Sequence, residues 1–375
     1  MAINSHKVFL IAAARTTVAP VGGFLRNTSI EDMAAAVIRE NLSQLNMDIS
    51  EVDDVIVSNA LGGGGNIARL CTLKAGFSSE LLGTSIDRQC VGGLDAIIQA
   101  AKQIQSGQAN LILAGGAESF SLRPERQYPS KWNGDLISLE RPPFYPTDDP
   151  TTPLGDAIQG LKQTHQISDT QEYEWVHESH KKSVAHKAIA EGEIVALTPN
   201  DPIDPFARKI SKETYQKANS TFGHTHPCNT APKADGAAFV AVASEKMVKK
   251  IKPAHCIEII DGFTLGGDPE SFPILPAKAM KQMVKHNNLN WTDIGQIELM
   301  EAYAIQSILC AKYSGAPIEK INPFGGAISR GHPIGASGAI LAVRLFHALK
   351  APHRIGLAAI AGAGGLASVL LLKKT

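Results

Sequence analysis

The chain has 375 residues with 36 basic and 36 acidic side chains, so its formal net charge is zero and a general polyanion-binding role is not expected. With 44% hydrophobic and 19% charged residues, the composition excludes disordered and fibrous proteins and provides material for two or three domains. Five scattered cysteines without a CxxC pair argue against a disulfide framework and a structural zinc site.

These features predict a protein of a reducing, cytoplasmic compartment. No segment approaches the roughly 18 consecutive apolar residues that a membrane-spanning helix needs. The first residues lack the apolar core of a secretion signal, and the final Leu-Leu-Leu-Lys-Lys-Thr is not a peroxisomal signal. We therefore expect neither a membrane nor a nucleic-acid partner.

Strands and helices are predicted to alternate through the first 118 residues. Apolar runs predict strands at 8–14, 54–58 and 111–114, and helical periodicity predicts helices at 30–46 and 94–105. This order is typical of an α/β fold. Residues 1–118, together with 223–250 and its strand-like segment 235–243, are predicted to form an N-terminal half.

The composition changes between residues 119 and 222. This region contains many of the prolines, Trp132, Trp175 and several polar stretches. We interpret it as an inserted loop domain with one helix, predicted from Asp169 to Glu191. Residues 251–375 are predicted to form a C-terminal half with a second series of strands and helices.

The two series resemble each other where glycines cluster. Cys90 precedes a glycine pair, a helix, a strand and Gly115-Gly116, whereas His332 precedes a glycine, a helix at 336–349, a strand at 355–360 and glycines at 362–365. The spacings are similar, at 115 − 90 = 25 and 362 − 332 = 30 residues. This pattern predicts a duplicated α/β unit, with chance similarity of two α/β segments as the alternative.

Cys90 lies where an apolar helix is predicted to begin. Unpaired N–H groups and the positive dipole at such a helix end favour a thiolate, and a neighbouring histidine would lower the pKa of the thiol further. We expect the adjacent Gly92 and Gly93 to let a thioester approach the backbone. The pattern predicts a nucleophilic cysteine, and a small buried residue at a helix start is the alternative.

His332 lies in Gly-Gly-Ala-Ile-Ser-Arg-Gly-His-Pro-Ile-Gly-Ala-Ser-Gly, before the next predicted helix. A histidine between glycines suits a general base that must reach a substrate, and an ordinary loop histidine is the alternative. A cysteine and a histidine at matching positions of a duplicated unit predict nucleophilic thiol catalysis.

Motifs that run nearly from end to end carry a resemblance to a known family. They are Ala12-Ala13-Ala14-Arg15-Thr16, Gly65-Asn66-Ile67-Ala68-Arg69, Asp87-Arg88-Gln89-Cys90, Ala114-Gly115-Gly116-Ala117-Glu118-Ser119, Asp235-Gly236-Ala237-Ala238 and the glycine-rich segment around His332. The chain resembles the thiolases, the acyl-CoA acetyltransferases. The resemblance implies a five-layer αβαβα fold of two similar halves, a loop domain over the active site, and a homodimer or homotetramer. It also implies acyl-CoA substrates, a Cys90 that is acylated and a His332 that activates it.

Two catalytic loops depart from the thiolase pattern. Thiolases usually have Asn-Glu-Ala-Phe where this chain has Met300-Glu301-Ala302-Tyr303, so a thioether without an N–H donor replaces the asparagine. They have Cys-x-Gly where this chain has Ala361, Gly362 and Ala363, and a methyl group supplies no second acid or base.

One oxyanion site needs no side chain. The backbone N–H groups of Ala363 and Cys90 are still expected to bind the thioester oxygen. Acylation of Cys90 is therefore better supported than Claisen condensation.

The expected coenzyme A contacts are also altered. Ala231 replaces a serine that touches the pantetheine in thiolases, and Pro153 takes the place of a histidine that lines the tunnel. Leu154, Ala231 and Tyr303 are predicted substrate-binding residues. We expect no resident cofactor, with coenzyme A acting as substrate and product.

Metal and nucleotide sites are weaker interpretations. The histidine groups lack the spacing of a metal-binding HExxH helix, and the glycines at 62–65 lack the Lys-Ser/Thr of a phosphate-binding loop. These groups are His177, His180 and His186, and His224, His226 and Cys228. We predict no metal site.

Three functions stay open from the sequence. The first is an acyl-CoA acyltransferase of lipid metabolism that makes or cleaves a 3-ketoacyl-CoA. The second is a thioesterase, or a decarboxylating condensing enzyme, that uses the same Cys90–His332 pair. The third is a catalytically inactive protein that binds acyl-CoA.

Overall fold

The computed structural model describes residues 6–129, 134–139, 143–146, 154–198 and 201–375. The strands of the main sheet and of one hairpin are β1 (Val8–Arg15), β2 (Ala19–Pro20), β3 (Asp54–Ser58), β4 (Thr84–Ile86), β5 (Leu111–Glu118), β6 (Arg126–Pro129), β7 (Leu136–Leu139), β8 (Ala234–Ser244), β9 (Ile257–Gly266), β10 (Ile294–Leu299), β11 (Ile355–Gly362) and β12 (Leu366–Lys374). The helices are α1 (Ile30–Gln44), α2 (Ile67–Ala75), α3 (Gly92–Gln105), α4 (Leu154–Thr164), α5 (Asp169–Ala185), α6 (Lys187–Glu191), α7 (Lys212–Phe222), α8 (Glu245–Ile251), α9 (Leu275–His286), α10 (Ala304–Ser314), α11 (Ala327–Arg330) and α12 (Ile334–Ala348). No helix in these described ranges is long and apolar enough to cross a membrane.

The two halves have the same strand order. The N-terminal half has the order β3-β5-β8-β1, and the C-terminal half has β10-β11-β12-β9. In each half the first pair is parallel and the next two pairs are antiparallel. Strand β4 extends the N-terminal half at its outer edge. This shared topology confirms the predicted duplication.

Two helices, α3 and α12, form a central layer between the halves. Their apolar side chains share one core with inward-facing residues from both halves, such as Val240 of β8 and Leu370 of β12. Helices α1 and α2 cover the outer face of the N-terminal strands, and α9 and α10 cover that of the C-terminal strands. Strands β1 and β9 pair at Leu10 and Ile257, which joins the halves into one continuous sheet. The layers follow the expected αβαβα order.

The N-terminal ends of α3 and α12 pack backbone against backbone. A Cβ atom on Gly93 would lie 2.6 Å from the carbonyl oxygen of Gly335, and one on Gly338 would overlap the backbone nitrogen of Leu94. A Cβ atom on Gly92 would overlap the hydroxyl of Ser58. These glycines therefore serve close packing, and the expectation that Gly92 and Gly93 leave room for a thioester is wrong.

The inserted region contains more helices than the one predicted. The helix expected from Asp169 to Glu191 is divided at His186, whose backbone leaves the helical conformation, so α5 and α6 are separate. Helices α4 and α7 flank them. Trp132 and Pro153 lie outside the described residues. Strand β8 returns the chain to the N-terminal strands. The residue numbers given above for the domain boundaries stay predictions.

Candidate active site

Cys90 lies in a single 3-10 turn, Gln89–Val91, that leads directly into α3. Burial raises the pKa of the Cys90 thiol to about 12, and the negative charges of Glu118 and Asp87 act in the same direction. Hydrogen bonds from the backbone N–H groups of Ala363 and Cys90 only partly oppose this shift. The resting group is a neutral thiol, and the expectation of a lowered pKa is wrong because burial outweighs the helix end.

His332 lies directly beside this thiol, at the start of the matching helix α12. Its Nε2 atom is 3.2 Å from Sγ of Cys90. Burial lowers the pKa of His332 to about 4, so its imidazole is neutral at pH 7 and able to accept a proton. The structure thus brings together the two residues predicted to form the catalytic pair, at the distance that proton transfer requires.

Ser337 contacts the ring nitrogen of His332 that faces away from Cys90. Its hydroxyl lies 2.6 Å from Nδ1 of His332 and donates to the carbonyl oxygen of Pro333 at 3.1 Å. With the hydroxyl hydrogen donated to Pro333, the hydroxyl accepts from Nδ1–H, and Nε2 is free to act as a base. The sequence interpretation missed this role, although Ser337 lies in the motif that contains His332.

Glu118 is a second residue whose role the sequence interpretation missed. This buried carboxylate at the end of β5 accepts from Asn59 Nδ2 at 2.7 Å and from the backbone N–H groups of Ala60, Leu61 and Gly335 at 3.0 to 3.1 Å. Burial raises its pKa to about 7 despite these bonds. Glu118 ties a loop of the N-terminal half to the first turn of α12. The sequence feature that could have identified Glu118 is its position as a single acidic residue directly after the apolar run Leu-Ile-Leu-Ala-Gly-Gly-Ala.

The two altered loop positions are apolar and almost fully buried. Met300 packs in the core around α3 and α12, and its N–H donates to the carbonyl oxygen of Ala359 at 2.9 Å. Ala361 lies near the end of β11, opposite Ala367. Neither side chain carries a hydrogen-bond donor or a titratable group.

Glu301 is fully engaged in structural hydrogen bonds. One carboxylate oxygen accepts from Trp175 Nε1 at 3.1 Å and Asn322 Nδ2 at 2.9 Å, and the other accepts from Ser179 Oγ at 2.7 Å and the N–H of Ile328 at 3.2 Å. These four donors occupy the acceptor sites of the carboxylate. Glu301 therefore links the inserted region to α11, the helix that precedes His332.

Two of the three predicted substrate-binding residues lie on segments next to His332. The N–H of Ala231 donates to the carbonyl oxygen of Ala302, next to Tyr303, at 3.0 Å. The carbonyl oxygen of Pro232 accepts from the N–H of His332 at 2.8 Å. Leu154, by contrast, begins α4 and packs against the C-terminal core. The substrate-binding role of Leu154 therefore stays a prediction.

Cys310 and Cys228 pack in clusters other than that of Cys90 and do not provide a second active-site thiol. Cys310 donates to the carbonyl oxygen of Pro273 at 3.2 Å, and burial raises its pKa to about 12. Cys228 is buried against helices of the inserted region, beside Val176 and Tyr215. All five cysteines are free. No group of three or more metal-binding side chains occurs in the part of the chain that the structure describes.

A thiol with its own base, set between two matching α/β halves, is the arrangement that nucleophilic catalysis by cysteine needs. The thiolase N-terminal domain model matches residues 8–246, and the thiolase C-terminal domain model matches residues 254–374. The chain belongs to the thiolase family and is an acyltransferase.

Similar proteins cover nearly the whole chain. A protein named "Putative acetyl-CoA C-acetyltransferase YhfS" from Bacillus subtilis is 33% identical, with 97% of this chain and 98% of that protein covered. One named "Putative acetyl-CoA C-acetyltransferase VraB" from Staphylococcus epidermidis is 32% identical, with 95% of both chains covered. The Acat5 thiolase of Ascaris suum in complex with coenzyme A has a TM-score of 0.90 at 26% identity, with 98% of this chain and 100% of that chain covered.

Proposed function

We propose that this enzyme transfers an acyl group from acyl-CoA to Cys90 and makes or cleaves a 3-ketoacyl-CoA of the acetoacetyl-CoA type. The observation that carries the proposal is the 3.2 Å contact between Cys90 Sγ and His332 Nε2. The names of the relatives and the coenzyme A complex of the Ascaris thiolase support acyl-CoA as the substrate class. The proposal includes no resident cofactor, with coenzyme A as substrate and product.

Acylation exchanges one thioester for another. The sulfur of Cys90 attacks the carbonyl carbon of acyl-CoA while His332 Nε2 takes the thiol proton. The bond from that carbon to the coenzyme A sulfur then breaks, and His332 returns the proton to this sulfur. The N–H groups of Cys90 and Ala363, which already point at the thiol, are the proposed donors to the oxyanion.

The second half-reaction has fewer groups to support it. Forming or breaking the carbon–carbon bond requires a proton to leave or reach the α-carbon of acetyl-CoA. Met300 and Ala361 offer no such group, and Cys310 is hydrogen-bonded to Pro273. This shortage favours a second candidate, in which water, or an enolate formed by decarboxylation, captures acyl-Cys90.

Mass spectrometry of the protein after incubation with acetyl-CoA tests the shared first step. We expect an acetyl adduct on Cys90, and none on a Cys90→Ala variant. A wild-type enzyme that shows neither an adduct nor any release of coenzyme A would exclude both candidates and support the inactive binding protein.

Two further assays separate the candidates. Loss of acetoacetyl-CoA that requires added coenzyme A supports the 3-ketoacyl-CoA reaction. Formation of free acetate together with coenzyme A from acetyl-CoA supports hydrolysis, because condensation of two acetyl-CoA molecules releases coenzyme A but no acetate. Decarboxylation of a malonyl-CoA acceptor supports the decarboxylating condensation.

The proposal also includes a homodimer or homotetramer in the cytoplasm. Strand β4 is at the end of the sheet order, so its outer edge has no strand partner in the described ranges of this chain. Leu70, Leu73 and Leu82 are exposed beside it, on α2 and just before β4. This apolar edge supports association of two chains. The five free cysteines are consistent with a reducing compartment.

A further inference from the structure

The side chain of Arg330 is buried behind the His332 segment without a protein acceptor. Arg330 is 3% exposed and ends α11, two residues before His332. Its Nε atom has no hydrogen-bond partner. Among the residues with described positions, no hydrogen bond or ion pair involves its guanidinium. A buried N–H such as that of Nε is costly without an acceptor, since it has lost its hydrogen bonds to water.

The nearby carboxylates are already held by other arginines. Arg15 binds Glu193 at 2.7 Å and both oxygens of Asp204 at 2.8 and 2.9 Å. Arg344 binds Glu298 at 2.8 Å, donates to a backbone carbonyl at 3.1 Å and lies 3.7 Å from the second carboxylate oxygen of Glu193. These arrangements leave the guanidinium of Arg330 without a direct counter-ion.

A cavity of about 220 Å³ lies against this guanidinium. Arg330, Arg344, Lys187 and Asp204 contribute its charged lining. Lys187 is exposed at the rim, so the cavity communicates with solvent. The Asp204 oxygens already accept from Arg15 and from the N–H of Val18. The cavity thus presents more free donors than free acceptors, which suits an anion.

Arg330 keeps its positive charge despite its burial. Burial lowers its pKa to about 10, with further lowering by the like charges of Arg344 and Arg15 and partial compensation by Asp204 and Glu193. At pH 7 the side chain is therefore still a cation. Its planar fork of donors matches an oxyanion better than a neutral ligand.

We propose that this cavity binds a small oxyanion of the phosphate class, held by Arg330 and Arg344. The site is separate from the acyl-CoA site, because Arg330 faces the cavity bordered by α5, α6 and α12 rather than Cys90. The backbone runs from Arg330 through Gly331, whose N–H donates to the carbonyl oxygen of Ala327 at 2.7 Å, to His332. A bound anion would hold this segment, and with it the base, in place.

Equilibrium dialysis of inorganic phosphate against the full-length protein, at constant ionic strength in chloride, tests the proposal directly. We expect one phosphate per chain, and we expect the dissociation constant of the Arg330→Met variant to be at least tenfold higher than that of the wild type. The matched control is Arg39→Met, an exposed arginine on α1, which should bind phosphate as the wild type does. Direct binding is preferred to thermal shift because phosphate stabilises proteins generally by exclusion from their surface.

The outcomes are distinct. Absence of phosphate binding by the wild type at 10 mM, or undiminished binding by a folded Arg330→Met variant, overturns the proposal. If Arg330→Met does not fold, Arg330→Lys replaces it, and the same tenfold weakening is expected because an ammonium lacks the fork. Repeating the dialysis in the presence of acetyl-CoA distinguishes the source of the phosphate group. If acetyl-CoA displaces inorganic phosphate, the cavity binds a phosphate group of coenzyme A, and the proposal of a site separate from the acyl-CoA site is wrong.

Discussion

The hydroxyl of Ser337 lies 2.6 Å from Nδ1 of His332, on the side of the ring opposite Cys90. A chain of contacts thus runs from Ser337 through the imidazole to the thiol. Ser337 acts on the reaction only through His332, which makes it a positioning residue. Both residues of this contact come from one loop and the first turn of α12, so the geometry is local and rigid.

Ser337→Ala removes this contact, and the ring can then adopt the other tautomer. We expect kcat for acyl transfer to fall roughly tenfold to a hundredfold, less than the full contribution of a general base, with little change in KM. Steady-state kinetics with acetoacetyl-CoA measure the effect. The control is Ser314→Ala, a buried serine that donates to the carbonyl of Ala311 in α10. Equal losses in both variants would show a general structural effect.

The pKa directions predict how Cys90 reacts with an alkylating reagent. The pKa of the thiol is raised to about 12 and that of His332 is lowered to about 4, so the pair is neutral from about pH 5 to pH 9. The alkylation rate follows the thiolate fraction. With iodoacetamide we expect the rate to rise about tenfold per pH unit between pH 7 and pH 9. A rate already constant above pH 6 would instead indicate a thiolate–imidazolium pair.

Ala361→Cys tests whether the missing second thiol limits the carbon–carbon step. If it does, thiolysis of acetoacetyl-CoA should rise at least tenfold, since a positioned acid or base contributes about a hundredfold or more. Ala361→Ser is the matched control, because a hydroxyl of similar size does not titrate in this range. If Ala361→Cys does not raise the rate of thiolysis, the missing thiol is not the main limitation, and the replacement of asparagine by Met300 becomes the next candidate.

Gly338→Ala tests the contact between the central helices. Its new methyl group would overlap the backbone of Leu94, so α12 must move away from α3. We expect the free energy of unfolding to fall by about 1–3 kcal/mol, as in other overpacked cores. Urea unfolding measures the change.

The matched control for this variant is Gly160→Ala in α4, where a methyl group meets nothing within 4 Å. It should gain about 0.4–1 kcal/mol by restricting the unfolded chain. Acyl transfer should fall in Gly338→Ala and persist in Gly160→Ala. Unchanged acyl transfer by Gly338→Ala would show that catalysis does not depend on the close packing of α3 and α12.

Local patterns in the sequence were sufficient to predict the duplicated α/β unit and the pairing of Cys90 with His332, whereas the five layers were implied by the thiolase resemblance. Apolar runs predicted the strands, and the glycine motifs placed Cys90 and His332 at equivalent helix starts. The motif resemblance then implied their roles.

Other features depend on three-dimensional surroundings. The sign of the pKa shift of Cys90 follows from its burial and from Glu118, which is 28 residues away in the chain (118 − 90). The isolation of Arg330 follows from the fact that Arg15 and Arg344 already hold the neighbouring carboxylates. The break at His186 follows from a change of backbone direction within a sequence whose polar pattern continues.

The contact between Gly93 and Gly335 has a consequence for folding. Each half of the chain supplies one member of the reactive pair, and the pair meets only when these two backbones touch. A slip of α12 by one residue along its axis, about 1.5 Å, would carry His332 out of reach of Cys90. A partly folded chain in which these two backbones are apart therefore has the Cys90 thiol without its base.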